Sequence, residues 1–257
     1  MKEKLVDLHI HTKFPGIGSD SRMSFETAAT RAVEVGLVAV AITNHDHPSR
    51  DHSLKEGLLT LSGVEFTTIS KRGKIARHFP HVLMVNLSNN AYNDAKRFSI
   101  PFHLPTLKEA LTWARNYPEA LVIAPHPSPK GNLISLTFDE IRQYREYFDA
   151  IEVINGGAEV LPSGEFTSPT TKQWYKERLA LALELDLTPV ANSDAHKASS
   201  IGKVATIIFD NPQTTGEIMT AVKEGACNPI ILAGSEAFTG ISEHVTESGV
   251  IYASSAE

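Results

Sequence analysis

Cysteine is almost missing from this chain. Cys227 is the only one in 257 residues, which excludes an internal disulfide and removes thiolate clusters as metal sites. That lone thiol reads as a small buried apolar residue. No apolar run reaches the roughly 20 residues a membrane-spanning helix needs. The N-terminus carries no signal-peptide pattern, so the expectation is a cytoplasmic protein with no membrane partner. A surplus of positive charge is missing too. Lys and Arg number 24 against 30 Asp and Glu, for a net charge of −6, so no global basic field attracts nucleic acid. Repeats, low-complexity tracts and interdomain linkers are lacking, and the chain reads as one domain over residues 1–257.

Histidine is what the sequence has in quantity. There are 11, and most lie beside apolar runs rather than in tails. Leu5–His9, Leu37–Ile42, Leu58–Glu65, His81–Asn86, Ala120–Ala124, Ala150–Ile154, Thr188–Asn192 and Val204–Phe209 read as strands. Helical patterns open at Ser24, at the capping boxes Thr106-x-x-Glu109, Thr137-x-x-Glu140 and Thr214-x-x-Glu217, and at Thr170. Asn89–Phe98 is helix or loop. Beyond Asn228 the pattern weakens, and the tail from about Thr246 reads as disordered. Strands alternating with helices imply parallel βα units. About seven such units in a chain of this length imply a closed or nearly closed barrel, with a doubly wound sheet as the alternative.

The chemistry-bearing side chains fall where strands end. His9 and His11 stand two apart, so a strand aims both imidazoles to one face, and imidazole ligates Zn, Fe and Mn. His45 follows the second strand, Glu65 ends the third, His126 follows the strand at Ala120, and Asp194 and His196 follow the strand at Thr188. Each alone has an ordinary reading: a helix cap, a partner for arginine, a core histidine. In an α/β barrel, however, these ends share one rim, where active sites are built. Their convergence on one mouth points to a metal site.

His9-x-His11-Thr12 with Ser19-Asp20, Ala41-Ile42-Thr43-Asn44-His45, Gly63-x-Glu65, His81 before an apolar strand, His126-Pro127 and Ser193-Asp194-Ala195-His196 together resemble the PHP (polymerase and histidinol phosphatase) family. The resemblance runs from Val6 to about Gly202. It implies a distorted (β/α)7 TIM-like barrel with two or three divalent ions (Zn, Mn or Fe) at the strand C-termini, and hydrolysis of phosphate esters. It also implies nine ligands. His9, His11, Glu65 and Asp194 would hold one ion. Asp20, His45 and His196 would surround a second. Glu65 would bridge to a third, held with His81 and His126. Ions about 3.5–4 Å apart can share a hydroxide, polarise a phosphoryl oxygen and stabilise the leaving oxygen. Glu65, Asp194 and His196 are thus the residues expected at the reaction itself.

Two positions depart from the family pattern. Thr43-Asn44-His45 stands where Thr-Asp-His is usual, and Asn44 can hydrogen-bond but cannot carry charge or shuttle a proton. Ser19-Asp20-Ser21 replaces Ser-Asp-Gly, which affects a turn more than a ligand. His81 begins its apolar run instead of ending it, so the preceding excursion must fold back; His78 is the competing ligand. Candidate substrate contacts are Lys130 after His126-Pro127, Lys197 after His196, and Arg72 and Arg77 in the basic run Lys71–His78. Phe102 and His103 lie between prolines and could stack on a base, while Trp113 and Tyr144 read as core. The expected substrate is a small phosphomonoester or nucleotide. Alternatives are a 5′-to-3′ exonuclease on short oligonucleotides, a C–N hydrolase of the amidohydrolase type, and a non-catalytic metal-binding accessory protein. A bridging glutamate in place of the usual lysine speaks against the C–N hydrolase. Oligomeric state has no signature in the sequence.

Overall fold

The apolar runs become strands because each is covered on both faces. The computed structural model describes residues 3–14, 19–50, 57–72, 76–98, 104–129, 131–209, 211–232 and 251–253. Its strands are β1 (Lys4–Ile10), β2 (Leu37–Ile42), β3 (Leu59–Thr67), β4 (Ser70–Arg72), β5 (Ala76–His78), β6 (His81–Val85), β7 (Leu121–Ala124), β8 (Ala150–Asn155), β9 (Thr188–Asn192), β10 (Val204–Ile208), β11 (Cys227–Leu232) and β12 (Ile251–Ala253). Its α-helices are α1 (Phe25–Glu34), α2 (Asn89–Phe98), α3 (Leu107–Ala114), α4 (Phe138–Gln143), α5 (Gly156–Glu159), α6 (Pro169–Leu185) and α7 (Thr215–Lys223). None is long and apolar enough to cross a membrane.

The helix starts follow from the caps. Ser24 accepts the Thr27 N–H, and reciprocal capping boxes form at Thr106–Glu109, Thr137–Glu140 and Thr214–Glu217. α6 begins one residue earlier than the sequence pattern, because Ser168 caps it and Pro169 occupies the first turn, where its missing N–H costs nothing.

Ten strands form a single sheet in the order β12-β11-β10-β1-β2-β3-β6-β7-β8-β9, and β4 and β5 form a separate hairpin. The barrel expectation holds, but not every neighbouring pair of strands is parallel. β6 runs antiparallel to both β3 and β7, and β10 runs antiparallel to both β1 and β11. The cause is the connections. A parallel neighbour needs a crossover of a dozen or more residues, usually a helix, whereas β3 returns to β6 through the β4–β5 hairpin. At the C-terminal end, β11 is a full strand although the sequence pattern weakens beyond Asn228, and Ile251–Ala253 pairs parallel with it.

The barrel closes between β9 and the β1–β10 pair largely by side chains rather than by a continuous backbone ladder. Asn192 Oδ1 accepts the Leu8 N–H at 2.9 Å, and Asp7 Oδ1 accepts the Ser193 N–H at 3.0 Å. Thr206 Oγ1 accepts the Ala191 N–H at 3.0 Å and donates to the Ala191 carbonyl at 2.9 Å. The His11 N–H completes the seam on the Ala195 carbonyl at 2.9 Å. Leu8, Ala41, Leu61, Leu83, Ile123 and Val190, each from a different strand, form one fully buried cluster, against which α7 packs Ile218, Met219 and Val222.

Candidate metal centre

β1 directs His9 and His11 to one face, with their Nε2 atoms 3.0 Å apart. His45 follows β2 and is held by an isolated parallel bridge to Glu65. Glu65 lies inside β3 rather than at its end, since the strand continues to Thr67. His81 opens β6 and is the register partner of Thr67. Because β6 is reversed, its first residue lies on the rim where β1, β2 and β7 finish. His126 follows β7, Asp194 and His196 follow β9, and Asp20 comes from the segment between β1 and α1.

The Glu65 carboxylate sits among five imidazoles. Its Oε2 lies 3.3 Å from His9 Nε2, 3.2 Å from His11 Nε2 and 3.1 Å from His45 Nδ1. Its Oε1 lies 3.0 Å from His81 Nδ1 and 2.9 Å from His126 Nε2. Asp194 Oδ1 approaches His9 and His11 Nε2 at 3.4 and 3.2 Å. Asp20 Oδ2 approaches His45 Nε2 at 3.2 Å and His196 Nε2 at 2.7 Å. All nine residues singled out from the sequence therefore meet at one rim. Donor atoms of eight of them form three groups, each within 4.8 Å: His9, His11 and Asp194; His11, Asp20, His45 and His196; and His45, Glu65 and His81; His126 joins through Glu65 Oε1.

The electrostatics fit cations. Burial alone would raise the Glu65 carboxyl, but the imidazoles of His81, His9 and His45 outweigh it and hold it well below the usual carboxylate range. Asp194 and Asp20 are likewise held low against the pull of burial, Asp194 by His9 and His11 and Asp20 by His196 and His45. Burial opposes the charged form of His9, His45, His126 and His196, yet the surrounding carboxylates raise all four. His81 goes the other way, because its burial prevails over Glu65. Glu65 Oε2 and His45 Nδ1 are buried without a hydrogen bond, and the facing nitrogens of His9 and His11 cannot both donate. Imidazole nitrogens and carboxylate oxygens are the donor set that Zn, Mn and Fe accept, so these residues fit such ions.

His78 is not at this rim. Its Nε2 contacts Glu140 Oε1 at 2.8 Å, which leaves His81 as the histidine of this segment beside Glu65. Asn44 Oδ1 accepts the Thr12 N–H at 2.7 Å and its amide reaches Thr12 Oγ1 at 3.4 Å, so it ties the end of β1 to the end of β2. Ser21 Oγ donates to the His196 carbonyl at 3.1 Å, fastening the Asp20 segment to the β9 end. Two rim residues adopt left-handed backbone, His126 at φ 32° and Asp194 at φ 48°, a conformation that persists only where surrounding bonds enforce it.

A cleft of about 260 Å³ opens beside Asp194 and His196, lined also by Gly157, Ala158, Lys197 and Ser200. Gly157 is required there, because a Cβ would sit 2.9 and 3.0 Å from the carbonyls of Ser193 and Asp194. Lys197 is exposed at this cleft. Lys130, Phe102, His103 and the side chains of Arg72 and Arg77 lie outside the described residues. Trp113 packs on the core against Phe66, and Tyr144 also packs on the core.

Four residues escaped the sequence reading: Asp7, Glu152, Asn155 and Asn192. All are buried around the rim. Their signal was present as polar side chains inside apolar strands, Val-Asp-Leu in β1 and Ala-Ile-Glu-Val-Ile-Asn in β8. Asp7 is pushed up to about 7 by burial, against hydrogen bonds from Ser193 and His9.

A family described as PHP-associated matches residues 176–227, a stretch that contains Asp194 and His196. Among solved structures, one similar chain is a two-domain protein from Bacteroides vulgatus containing a predicted PHP-like metal-dependent phosphoesterase. It is 18% identical with a TM-score of 0.59 over 90% of this chain and 67% of that one. The fold is that of the PHP-like proteins. PsfC from Pseudomonas syringae shares it at 15% identity and TM-score 0.59, over 91% of this chain and 94% of that one. So does the lesion-specific endonuclease EndoQ of Pyrococcus furiosus, at 17% identity and TM-score 0.58. There the alignment covers 90% of this chain but only 59% of EndoQ. No curated protein matches the chain by sequence.

Proposed function

We propose that this protein is a metal-dependent phosphoesterase that hydrolyses a small phosphomonoester or a nucleotide. In this reading the nine rim residues hold two or three divalent ions. The observation that carries it is Glu65, a fully buried carboxylate held between five imidazoles, with Asp194, Asp20 and a lysine-bearing cleft alongside. A charge arrangement of this kind has little structural use without cations, because buried ionic clusters are costly to desolvate.

Bound divalent ions supply Lewis acidity toward phosphoryl oxygen and water activation near neutral pH. The chain itself supplies placement. Asp194 and His196 border the cleft and Lys197 offers a cation to the substrate phosphate. Gly157 and Ala158 leave room for it. Glu65 does not reach the cleft. Its carboxylate stays ionised at neutral pH, so its part is to hold and neutralise ions rather than to carry a proton.

A nucleotide or short oligonucleotide is favoured over a bare sugar phosphate by one feature. Phe14 and His47 stack with centroids 4.4 Å apart and planes 9° from parallel. Phe14 N–H donates to Ser19 Oγ, next to Asp20, and His47 follows His45 by two residues. Burial and then Lys96 keep His47 below its usual range, hence neutral and able to present a π-face. Such a face, on His47 because Phe14 behind it is buried, accepts a base without sequence preference.

The test is hydrolysis of nitrophenyl phosphate, nucleoside monophosphates and 5′-phosphorylated oligonucleotides by protein supplied with Mn or Zn. His9→Ala and Asp194→Ala are expected to lose more than about 100-fold in turnover with unchanged circular dichroism. Unchanged turnover in either folded variant would refute the site, and activity that grows with oligonucleotide length would select the exonuclease reading.

A further inference from the structure

Glu152 is an acid in the middle of an apolar strand, and all six residues of β8 are buried. A buried carboxylate needs hydrogen-bond partners, and it has four. Its Oε1 lies 3.2 Å from His9 Nδ1 and accepts the Asn192 amide at 3.1 Å. Its Oε2 accepts the His126 backbone N–H at 2.8 Å and the Asn155 amide at 3.3 Å. The same Asn155 amide reaches Asp194 Oδ2 at 2.9 Å. One carboxylate therefore touches, directly or through one amide, three rim residues that arrive from β1, β7 and β9.

The consequences differ between the inner and outer parts of the rim. His9 turns Nε2 toward His11, Glu65 and Asp194, so the contact of Nδ1 with an acceptor-only carboxylate fixes both its tautomer and its ring angle. The side chains of His9 and His11 are sealed at 0% exposure. Asp20, His45 and His196 are 42%, 22% and 34% exposed, and no contact from Glu152 reaches them among the described residues. Preset donors bind a cation with less reorganisation.

We propose that Glu152 is a positioning residue. It presets His9, His126 and Asp194, so that the inner position at His9, His11 and Asp194 holds a divalent ion more tightly than the outer position, where Asp20, His45 and His196 join the shared His11. This rests on the metal-site reading above. Glu152→Gln is the informative variant. Glutamine keeps the volume, but its NH2 must face one pair of partners: turned to the His126 N–H and the Asn155 amide it loses both, and turned to Asn192 and His9 it loses Asn192 and can keep His9 only in the opposite tautomer.

The experiment is zinc uptake by the chelator-stripped full chain, followed by competition with a chromophoric zinc chelator. The wild type is expected to show a tight and a weaker class of site. In Glu152→Gln the tight class is expected to weaken by about 10- to 100-fold, with the weaker class unchanged. Nitrogen NMR of the stripped wild type, recorded above the pH at which His9 loses its extra proton, is expected to show His9 as the Nδ1–H tautomer, and the variant is expected to lose that preference. If Glu152→Gln does not fold, Asn155→Ala decides, since it removes the link to Asp194, together with one bond to Glu152 Oε2 and the cap of α5, and leaves the Glu152 contacts with His9, Asn192 and the His126 N–H in place; a smaller weakening of the tight class is expected. A wild type that takes up no zinc overturns the metal-site reading and this role with it. A single affinity class in the wild type, or a folded variant with both classes intact, overturns the role of Glu152 alone.

Discussion

Asn44 stands where the resembled family has an acid, and its contacts explain how the site tolerates it. Its side chain is turned to Thr12, accepting the backbone N–H at 2.7 Å, and acts as a strap between strand ends. An aspartate can accept the same bond, and the Thr12 hydroxyl can rotate to donate to it. Asn44→Asp is therefore expected to retain turnover within the roughly tenfold lower edge of losses seen when a ligand-supporting bond is removed. Steady-state kinetics at saturating metal checks this, and a larger loss would show that the amide itself is used. The imidazoles predict a pH dependence. His9, His45, His126 and His196 are all raised above 6.5 in the metal-free protein by nearby carboxylates, after burial has opposed the shift. A raised value means that the proton persists to higher pH. Protons then compete with metal above the usual imidazole range as well as within it, and metal binding releases them. Affinity for zinc is expected to fall as pH drops from 8.5 to 6, measured by competition titration in buffers of different ionisation enthalpy. A flat profile would contradict these shifts.

Elements carry the residues to the rim, and here the sequence was legible in part. The ends of β1, β2, β7 and β9 are marked by apolar runs that stop at histidine or aspartate, and those assignments followed directly. His81 was harder, because strand direction is not written in a single run. Only the absence of a helix between β3 and β6 reveals the reversal that brings a strand's first residue to the others' last. Glu152, Asn155 and Asn192 were visible only as exceptions to an apolar pattern, with no spacing to name their partners. Arg178 is a similar exception within α6. Its Nε donates to the Pro127 carbonyl at 2.6 Å, and its Nη1 lies 2.7 Å from Glu159 Oε1. The bond to Pro127 anchors the residue after His126, whose backbone is left-handed. Arg178→Ala is expected to cost about 3–5 kcal/mol, because it strands a buried carboxylate. Urea unfolding of the metal-free proteins measures it. A loss below about 1 kcal/mol, typical of an exposed pair, would show that the buried pair contributes little.

At the scale of the whole molecule, the barrel and its ion site are one construction. The seam between β9 and the β1–β10 pair is closed by Asp7, Asn192 and Thr206, and two of these also serve the rim, Asp7 through the His9 N–H and Asn192 through Glu152. Composition announced a barrel-sized α/β domain, but the seam, the reversed strands and the return of Ile251–Ala253 depend on pairings between residues far apart in sequence, which no local pattern encodes. Ions that bind only the folded state stabilise it by mass action, so the same experiment reads both structure and chemistry. The direct measurement is to strip the protein with chelator, restore Mn or Zn in known equivalents, and follow phosphoester hydrolysis together with the thermal midpoint. The account predicts an inactive stripped protein, activity that returns only as about two or more equivalents per chain are bound, and a midpoint that rises with them. Full hydrolysis by the stripped protein, or a metal-loaded protein that hydrolyses no phosphoester, would contradict it.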